Sequence, residues 1–145
     1  MILEVYRLHS SRYPANSGKG AAIHGGRWNP PGVEAIYTAQ SRSLAALEIL
    51  VHYTVLPRDF VLTPIRIRED RVIVTRLQPD AQFFEPQARN LALRWFPTTA
   101  ALGLYSVIIA EERIYVLNPA HPEFRYIEFL DSEPFRFDPR LKQAV

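Results

Sequence analysis

The sequence predicts an α+β fold in which short strands surround two helices. Seven segments show the alternation or short apolar runs of strands, whereas helical spacing of apolar residues occurs in two segments. The two helices do not alternate regularly with the strands, which argues against a doubly wound parallel sheet. The 145 residues contain no repeat, low-complexity tract or linker, so we expect one domain over residues 1–145.

Each element follows from local patterning and from twelve prolines that separate the segments. The first helix is expected from a cap at Ser41 to about Thr54, and the second from Pro86 to Phe96. Residues 9–33 hold five of the six glycines and predict a long loop, which in a compact domain is often functional. The tail 135–141 is irregular but apolar enough to dock. The predicted strands are residues 2–8, 34–39, 60–67, 71–75, 104–110, 114–118 and 124–130.

Composition excludes several classes of protein. The chain has no cysteine, so it has no disulfide, thiolate nucleophile or cysteine-ligated zinc. A net charge of +2 is too small to indicate a nucleic-acid binder. The N-terminus lacks the pattern of a signal peptide, and no window reaches the apolar length of a membrane span, so we expect a cytoplasmic protein. The histidines form no recognised pair on one element, and we expect no metal.

Glu48 breaks the pattern of the first helix. The helix is apolar nearly all round and should be buried on most sides. At helical spacing Glu48 lies within a stripe formed by Leu44, Leu47, Val51 and Val55. A carboxylate there must be paired, hydrogen-bonded or face a cleft, because a buried unpaired charge is costly. We predict an active-site residue, with His52 as a potential partner. A Glu48 satisfied by one arginine, or one on a solvent-facing edge, remains the alternative.

Two arginines stand in unusual surroundings. Arg27 follows the pair Gly25-Gly26, which lets a backbone turn sharply or approach a ligand closely, and precedes Trp28. This arrangement suits a phosphate clamp, but an ordinary turn anchored to the core by Trp28 explains it as well. Arg7 closes a strand whose other members are largely apolar.

Two strand residues also stand out. Tyr37 lies between Ala35 and Ala39 on one strand face, which leaves space against the ring for a stacked base, although core packing is an equal alternative. Ser106 lies on an otherwise apolar strand face, where a lone serine is usually tolerated or bonded to backbone.

Taken in order along the chain, these residues resemble the RES family, whose members are mostly toxins of bacterial toxin–antitoxin pairs. No single piece is specific, but their order and spacing together are. The matching pieces are Tyr6-Arg7, Gly26-Arg27-Trp28-Asn29, Tyr37-Thr38-Ala39, Ala46-Leu47-Glu48, Ser106, Asn118-Pro119, His121-Pro122 and Asp138-Pro139-Arg140-Leu141.

The resemblance implies an ADP-ribosyltransferase-like fold, with two small packed β-sheets and flanking helices around an NAD cleft. It implies the toxin of a type II toxin–antitoxin system that cleaves the nicotinamide–ribose bond of NAD+ by hydrolysis or phosphorolysis, although some members transfer ADP-ribose to a protein. The implied partner is an antitoxin with an Xre-like helix-turn-helix DNA-binding domain that masks the cleft. A homodimer within that complex is compatible with the resemblance.

The resemblance also assigns roles. Glu48, Arg27 and Arg7 would be the catalytic residues, with Glu48 acting at the nicotinamide ribose and the arginines holding the phosphates and adjoining ribose. The residues implied to bind NAD+ are Arg7, Arg27, Tyr37, Glu48, Ser106 and Asn118, with Tyr37 near nicotinamide and Ser106 orienting the ligand. Two departures affect the ligand contacts of this region: Tyr105 replaces a proline before Ser106, and Arg113-Ile114 occupies a stretch where an asparagine is common.

The chemistry fits these residue types. Breaking the bond between nicotinamide and ribose makes an oxocarbenium-like centre, which a carboxylate such as Glu48 stabilises. Nicotinamide departs neutral, so no strong general acid is needed. The glycines do not follow the G-x-G-x-x-G pattern after a strand, which argues against a hydride-transfer dehydrogenase.

Two other functions remain open from the residues alone. One is a non-catalytic module that binds a nucleotide or protein in an arginine-lined cleft. The other is a ribonuclease, which would draw its acid–base groups from histidines that show no telling spacing: His9, His24, His52 and His121.

Overall fold

The computed structural model describes residues 1–75, 90–91 and 93–142, in which strands dominate. The α-helices are α1 (Lys19–His24) and α2 (Arg42–Leu50). Short 3₁₀ segments cover Glu69–Arg71, Phe96–Thr98, Pro122–Tyr126 and Pro139–Leu141. The strands are β1 (Ile2–Ser10), β2 (Ile36–Ala39), β3 (Phe60–Arg68), β4 (Val72–Val74), β5 (Ala101–Tyr105), β6 (Arg113–Leu117), β7 (Glu128–Phe129) and β8 (Glu133–Phe135).

The strands form one curled sheet in the order β4-β5-β6-β2-β1-β3-β7, with β8 also paired to β3. Neighbouring strands are antiparallel except β4 and β5, which are parallel. β1 and β2 share the registered pair Tyr6 and Ala39, whereas β1 and β3 pair along their full length. The sheet therefore divides into two halves at β1 and β2. The predicted α+β class is confirmed, and the two expected sheets correspond to these halves.

The sheet carries a hydrophobic core on each face, because side chains alternate along a strand. On β1, Tyr6 and Leu8 pack into the first cluster, which also receives α2 through Leu44 and Ala45. Val5 of the same strand packs into the second cluster, on the opposite face. We call these the first and second faces. Helix α2, which carries Glu48, covers the first face.

A bulge marks the edge of β3. Residues 130–132 lie opposite Thr63 and Pro64, since Leu62 pairs with Glu133 and Ile65 with Phe129. The Leu130 N–H donates to the Pro64 carbonyl at 3.0 Å, so the backbone of Pro64 faces the bulge. A proline has no N–H to donate, and it is tolerated in a sheet at such a bulge. The bulge brings Ser132 against Thr63, a contact used below.

Two predicted strands are wrong in position or type. Residues 104–110 were expected to form a strand, but β5 ends at Tyr105, because the following amides turn back to bond the Ser106 hydroxyl. Residues 124–130 were also expected to be a strand. Instead Pro122–Tyr126 is a 3₁₀ segment whose first turn is capped by His121, and the two residues of β7 follow it.

Other boundaries shift less. The predicted loop over residues 9–33 is shortened by the end of β1 and interrupted by α1. The predicted second helix is represented by helical residues 90, 91 and 93–95, and its expected start at Pro86 lies outside the described residues. The tail docks as expected, with Phe137 buried against Phe60 and Phe135. In the described part of the chain, no helix is long and apolar enough to cross a membrane.

Candidate active site

Glu48 and Ser106 are joined by a direct hydrogen bond. The Ser106 Oγ donates to Glu48 Oε1 at 2.7 Å, which links α2 to the residue that follows β5. Ser106 is fully buried, and its Oγ accepts the N–H groups of Ile108 at 3.0 Å and Ile109 at 3.1 Å. Because a hydroxyl has one proton and two amides point at its oxygen, that proton is directed to the carboxylate. Ser106 is therefore a fixed donor that orients Glu48.

Helix α2 places Glu48 at the border of the core. Ser41 caps the helix by accepting the Leu44 N–H at 3.1 Å. The expectation that α2 is buried on most sides is wrong, because the helix packs on one side and ends at Leu50. Of the predicted stripe, Leu44 is buried, while the exposed fractions of Leu47, Val51 and Val55 are 37%, 59% and 39%. Glu48 is half-buried between these two surfaces.

The partner of Glu48 distinguishes the alternatives left open by the sequence. Within the described residues, Glu48 bonds to Ser106 and not to Arg27. His52, the other potential partner, is exposed in the turn after α2. Among the residues that the structure describes, Glu48 therefore has no arginine partner that would explain its position by stability alone.

Tyr37 anchors the glycine-rich turn through its hydroxyl. Its Oη accepts the Trp28 N–H at 3.0 Å and donates to Asn29 Oδ1 at 2.6 Å. The buried Asn29 amide nitrogen in turn donates to the carbonyls of Ala21, at 3.0 Å, and Val33, at 2.8 Å. Tyr37 packs on the first face with its neighbours Ala35 and Ala39, as predicted. The hydroxyl is therefore fixed by the protein, and the half-buried ring is held in place.

Gly26 is explained by this contact, and Gly25 by its own backbone conformation. A Cβ on Gly26 would lie 2.7 Å from Tyr37 Oη and 2.8 Å from Asn29 Oδ1. Gly25 has φ +74°, a left-handed value that favours glycine. Trp28 is 1% exposed and anchors the turn in the core. The close approach made possible by Gly26 is thus to Tyr37, and the half-buried Arg27 extends from a turn that the protein itself holds.

Arg7 lies on the other face of the sheet. It stands between Tyr6 and Leu8, which face the first cluster, so its side chain leaves β1 from the second face. Its Nη1 donates to the carbonyls of Ala15 and Ser17, the latter at 3.0 Å, and so fixes the loop after β1. Burial lowers the pKa of Arg7 to about 10, which leaves the guanidinium charged at neutral pH. The structure thus groups Tyr37, Glu48 and Ser106 on one face and places Arg7 on the other.

Asn118 lies at the far end of β6 from Ser106. Ser106 bonds to Glu112, just before β6, whereas Asn118 follows the strand, about 20 Å away at ~3.3 Å per residue. The Asn118 amide nitrogen donates to the Phe96 carbonyl at 3.0 Å, and its oxygen accepts the Ala120 N–H at 3.0 Å. These bonds give Asn118 a structural role, and its contact with a ligand stays a prediction.

The two departures from the family pattern contact each other. Tyr105 and Arg113 form the last registered pair of β5 and β6. The Arg113 guanidinium lies 5.3 Å from the centre of the Tyr105 ring and donates to its hydroxyl at 3.4 Å. This pair ends the pairing of β5 and β6 immediately before Ser106. Ser106 still contacts Glu48 although Tyr105 replaces the expected proline.

A polar chain near Arg7 was not identified as a unit from the sequence. His9 Nε2 lies 2.8 Å from Thr63 Oγ1, which lies 2.6 Å from Ser132 Oγ. The sequence offers His9 as an acid–base group of a ribonuclease, but it indicates no partner for this residue. The signal that would have found it is a buried histidine two residues from Arg7 on one strand, which places both on the same face. Among the described residues no group of three or more metal-ligating side chains lies together.

Comparison with known proteins identifies the family. The RES domain model matches residues 4–138. The chain belongs to the RES domain family. It is 36% identical over 156 aligned positions to Toxin Res of Photorhabdus laumondii, covering 99% of both chains. It is 35% identical to Toxin Res of Yersinia enterocolitica, covering 95% of this chain and 99% of that relative.

Two further comparisons bear on chemistry and fold. This RES domain is 35% identical to the Prs ADP-ribosylating toxin of a Sphingobium species, covering 86% of this chain and 85% of that protein. The crystal structure of the M. tuberculosis MbcT–MbcA toxin–antitoxin complex contains a chain that superposes with a TM-score of 0.70 at 18% identity. The match covers 97% of the RES domain described above and 87% of that chain, and it confirms the fold.

Proposed function

We propose that this RES domain is a toxin that consumes NAD+ by cleaving its nicotinamide–ribose bond. The observation that carries the proposal is the hydrogen bond from the buried Ser106 to Glu48. A helix that buries apolar residues on one side presents a single carboxylate at its border, and a serine donor fixes that carboxylate. This is the arrangement expected of a group that must face a developing positive charge in one orientation.

In the proposed reaction, the bond between ribose C1′ and the nicotinamide nitrogen breaks, and its electron pair leaves with nicotinamide. Glu48 stabilises the positive charge that develops on the ribose. The oxygen of water or phosphate then bonds to C1′ and releases its proton to solvent. Because one oxygen of Glu48 is occupied by Ser106, the other is directed to the ribose. Tyr37 lies near the nicotinamide, while Arg27 and Arg7 hold the phosphates.

Transfer of ADP-ribose to a protein is the second candidate. The Sphingobium relative is named an ADP-ribosylating toxin, and the same bond breaks in both reactions. The acceptor alone differs: a protein side chain replaces water or phosphate at C1′.

An antitoxin is the proposed partner. The similar solved structure is a toxin–antitoxin complex, which supports a cognate antitoxin. We expect this antitoxin to cover the first face beside Glu48. We expect this antitoxin to carry the Xre-like DNA-binding domain implied by the sequence resemblance, and the reaction to take place in the cytoplasm.

Product analysis tests the reaction. Purified protein is incubated with NAD+, with and without phosphate, and products are identified by mass spectrometry. Free nicotinamide with ADP-ribose indicates hydrolysis, and ADP-ribose that carries a phosphate on this same ribose carbon indicates phosphorolysis. Nicotinamide released together with a mass increase on a protein indicates transfer. Full recovery of NAD+ under all these conditions would contradict the proposal.

A further inference from the structure

The His9–Thr63–Ser132 chain has a defined direction. His9 Nδ1 lies 3.0 Å from the carbonyl oxygen of Ser10, and because a carbonyl can only accept, Nδ1 carries the proton of the neutral ring. Nε2 therefore accepts, and the Thr63 hydroxyl donates to it. The single hydroxyl proton of Thr63 is already donated to His9, so the Ser132 hydroxyl donates to Thr63. While His9 is neutral, both hydroxyls of the chain thus donate toward its ring.

The chain ends at solvent. His9 is 7% exposed and Thr63 is fully buried, whereas Ser132 is exposed. Ser132 also lines an open cavity of about 780 Å³, together with Ser11 and Val61. A proton entering at Ser132 can therefore reach His9 by reversal of the two hydroxyls, without the opening of the core.

Arg7 is the charged neighbour of this chain. Arg7 pairs in register with Thr63, and His9 follows Arg7 by two residues, so the three side chains share the second face. Burial and the charge of Arg7 lower the pKa of His9. On the packed elements, Val61 and Thr63 of β3 and Ser132 of the bulge are uncharged, while Asp59 and Asp131 lie exposed at the surface. Among the described residues, Arg7 is thus the charged group that acts on the protonation of His9.

We propose that His9 is a positioning residue of the phosphate site, which acts through Arg7 and couples anion binding to proton uptake. In the free protein a neutral His9 adds no second positive charge beside Arg7. When a pyrophosphate binds Arg7, its negative charge offsets the guanidinium, and His9 takes up a proton through Ser132 and Thr63. The inference rests on the part of the proposed function that assigns pyrophosphate to Arg7.

The proposed coupling predicts the direction in which anion affinity changes with pH. A ligand that makes protonation of His9 easier must itself bind more tightly to the protonated protein, since linkage is reciprocal. Affinity for the anion therefore rises as the pH falls below the ordinary histidine value of about 6.5. This is the opposite of the pH dependence expected for stability, where the neutral histidine is favoured.

Calorimetry with ADP-ribose tests the coupling. ADP-ribose carries the pyrophosphate, has no ionisable phosphate proton near pH 6, and is not cleaved at the nicotinamide bond. Titrations in two buffers of different ionisation enthalpy give the protons taken up. For the wild type we expect net uptake near pH 6 and an affinity about fivefold or more above that at pH 7.5. His9→Gln keeps an acceptor for Thr63 but cannot be protonated, so uptake and pH dependence should disappear. His52→Gln, an exposed histidine outside the chain, should behave as wild type.

Several results would overturn the inference: no binding of ADP-ribose to the wild type, no uptake, or equal uptake by His9→Gln. If His9→Gln does not fold, NMR titration of the wild-type histidines decides, because ADP-ribose must raise the pKa of His9. Failure of the proposed function is recognised separately. A wild type that leaves NAD+ intact but binds ADP-ribose with proton uptake would contradict NAD+ cleavage and retain the role of His9.

Discussion

Ser106 and Glu48 show how a single hydrogen bond converts an unusual residue into a candidate catalytic group. Helical spacing predicts that Glu48 lies among apolar residues, and this follows from the sequence alone. The identity of its partner does not, because Ser106 is 58 residues away and meets α2 only through the packing of β5. Long-range contacts of this kind are set by tertiary structure.

Replacing Ser106 by alanine should reduce NAD+ cleavage and also lower stability, because the Ile108 and Ile109 amides lose their acceptor. The substitution removes the donor to Glu48, and one hydrogen bond to a charged group contributes about 1.5–3 kcal/mol. We expect kcat to fall by roughly ten- to a hundredfold. Initial rates of nicotinamide release measure this. Ser43→Ala, on the exposed surface of α2, is the matched control and should retain wild-type rates. A Ser106→Ala protein as fast as the wild type would show that the bond does not orient Glu48 for catalysis.

Gly26 should not tolerate a side chain. An added Cβ would lie 2.7 Å from Tyr37 Oη and 2.8 Å from Asn29 Oδ1. Both of these side chains are held in place by hydrogen bonds. We expect Gly26→Ala to lower the free energy of unfolding by about 1–3 kcal/mol in urea titrations. Gly20→Ala is the control, since its Cβ meets nothing within 4 Å and alanine favours a helix. Equal stabilities of the two variants would disprove the tight packing around Tyr37.

At the scale of elements, α2 shows what periodicity can and cannot predict. Its start at Ser41 and its helical character follow from the capping residue and the apolar spacing. Its exposure does not, because apolar residues on all sides suggest complete burial, while the helix packs only against the first face. Leu47 and Val51 remain exposed beside Glu48. An apolar surface next to the candidate site is consistent with a surface that a partner covers.

The N-cap of α2 makes a direct contribution to stability. Ser41 Oγ accepts the Leu44 N–H at 3.1 Å, and loss of such a cap costs about 1 kcal/mol. We therefore expect Ser41→Ala to lower the free energy of unfolding by about that amount in chemical denaturation. Ser41→Asp, which keeps an acceptor, should restore most of it. An unchanged unfolding curve for Ser41→Ala would mean that tertiary packing alone sets the start of α2.

Two strands were mispredicted for identifiable reasons. An apolar run from 104 to 110 looks like a strand, but Ser106 takes the amides that would extend the ladder. A second apolar run, from 124 to 130, begins as a 3₁₀ segment because His121 and Pro122 supply the cap and first turn. In both cases a side chain competes with the sheet for backbone groups, and such competition is invisible to alternation.

At the scale of the whole molecule, the sheet separates the candidate residues into two sets. Tyr37, Glu48 and Ser106 lie on the first face, whereas Arg7 leaves β1 from the second face. The sequence resemblance predicts a set of site residues, but it does not indicate that they divide between the two faces of the sheet. Strand alternation does contain this information once the face of one residue of β1 is known. A ligand that contacts both sets must therefore reach residues on both faces of the sheet.

The buried His9 makes global stability depend on pH. Its pKa in the folded protein is lowered, so the unfolded chain binds more protons below the ordinary value of about 6.5. Stability is fully present above that pH and is lost as the pH falls toward the folded pKa. Denaturant titrations between about pH 7.5 and 5.5 should show this loss, and His9→Gln should flatten it. The ion-paired carboxyls of Asp70 and Asp138, whose pKa values are also lowered, act only below about pH 4. A wild type whose stability is constant over the higher range would contradict the account of His9.

The most direct test of the central claim is nicotinamide release by Glu48→Gln. Glutamine keeps the size of the side chain and an acceptor for Ser106, but it lacks the negative charge that would stabilise the ribose. Glu34→Gln, at an exposed position outside the site, is the matched control. With equal unfolding midpoints for all three proteins, we predict release by the wild type and Glu34→Gln, and a loss of at least about a hundredfold for Glu48→Gln. Release by Glu48→Gln at the wild-type rate would contradict the assignment of Glu48 as the catalytic carboxylate.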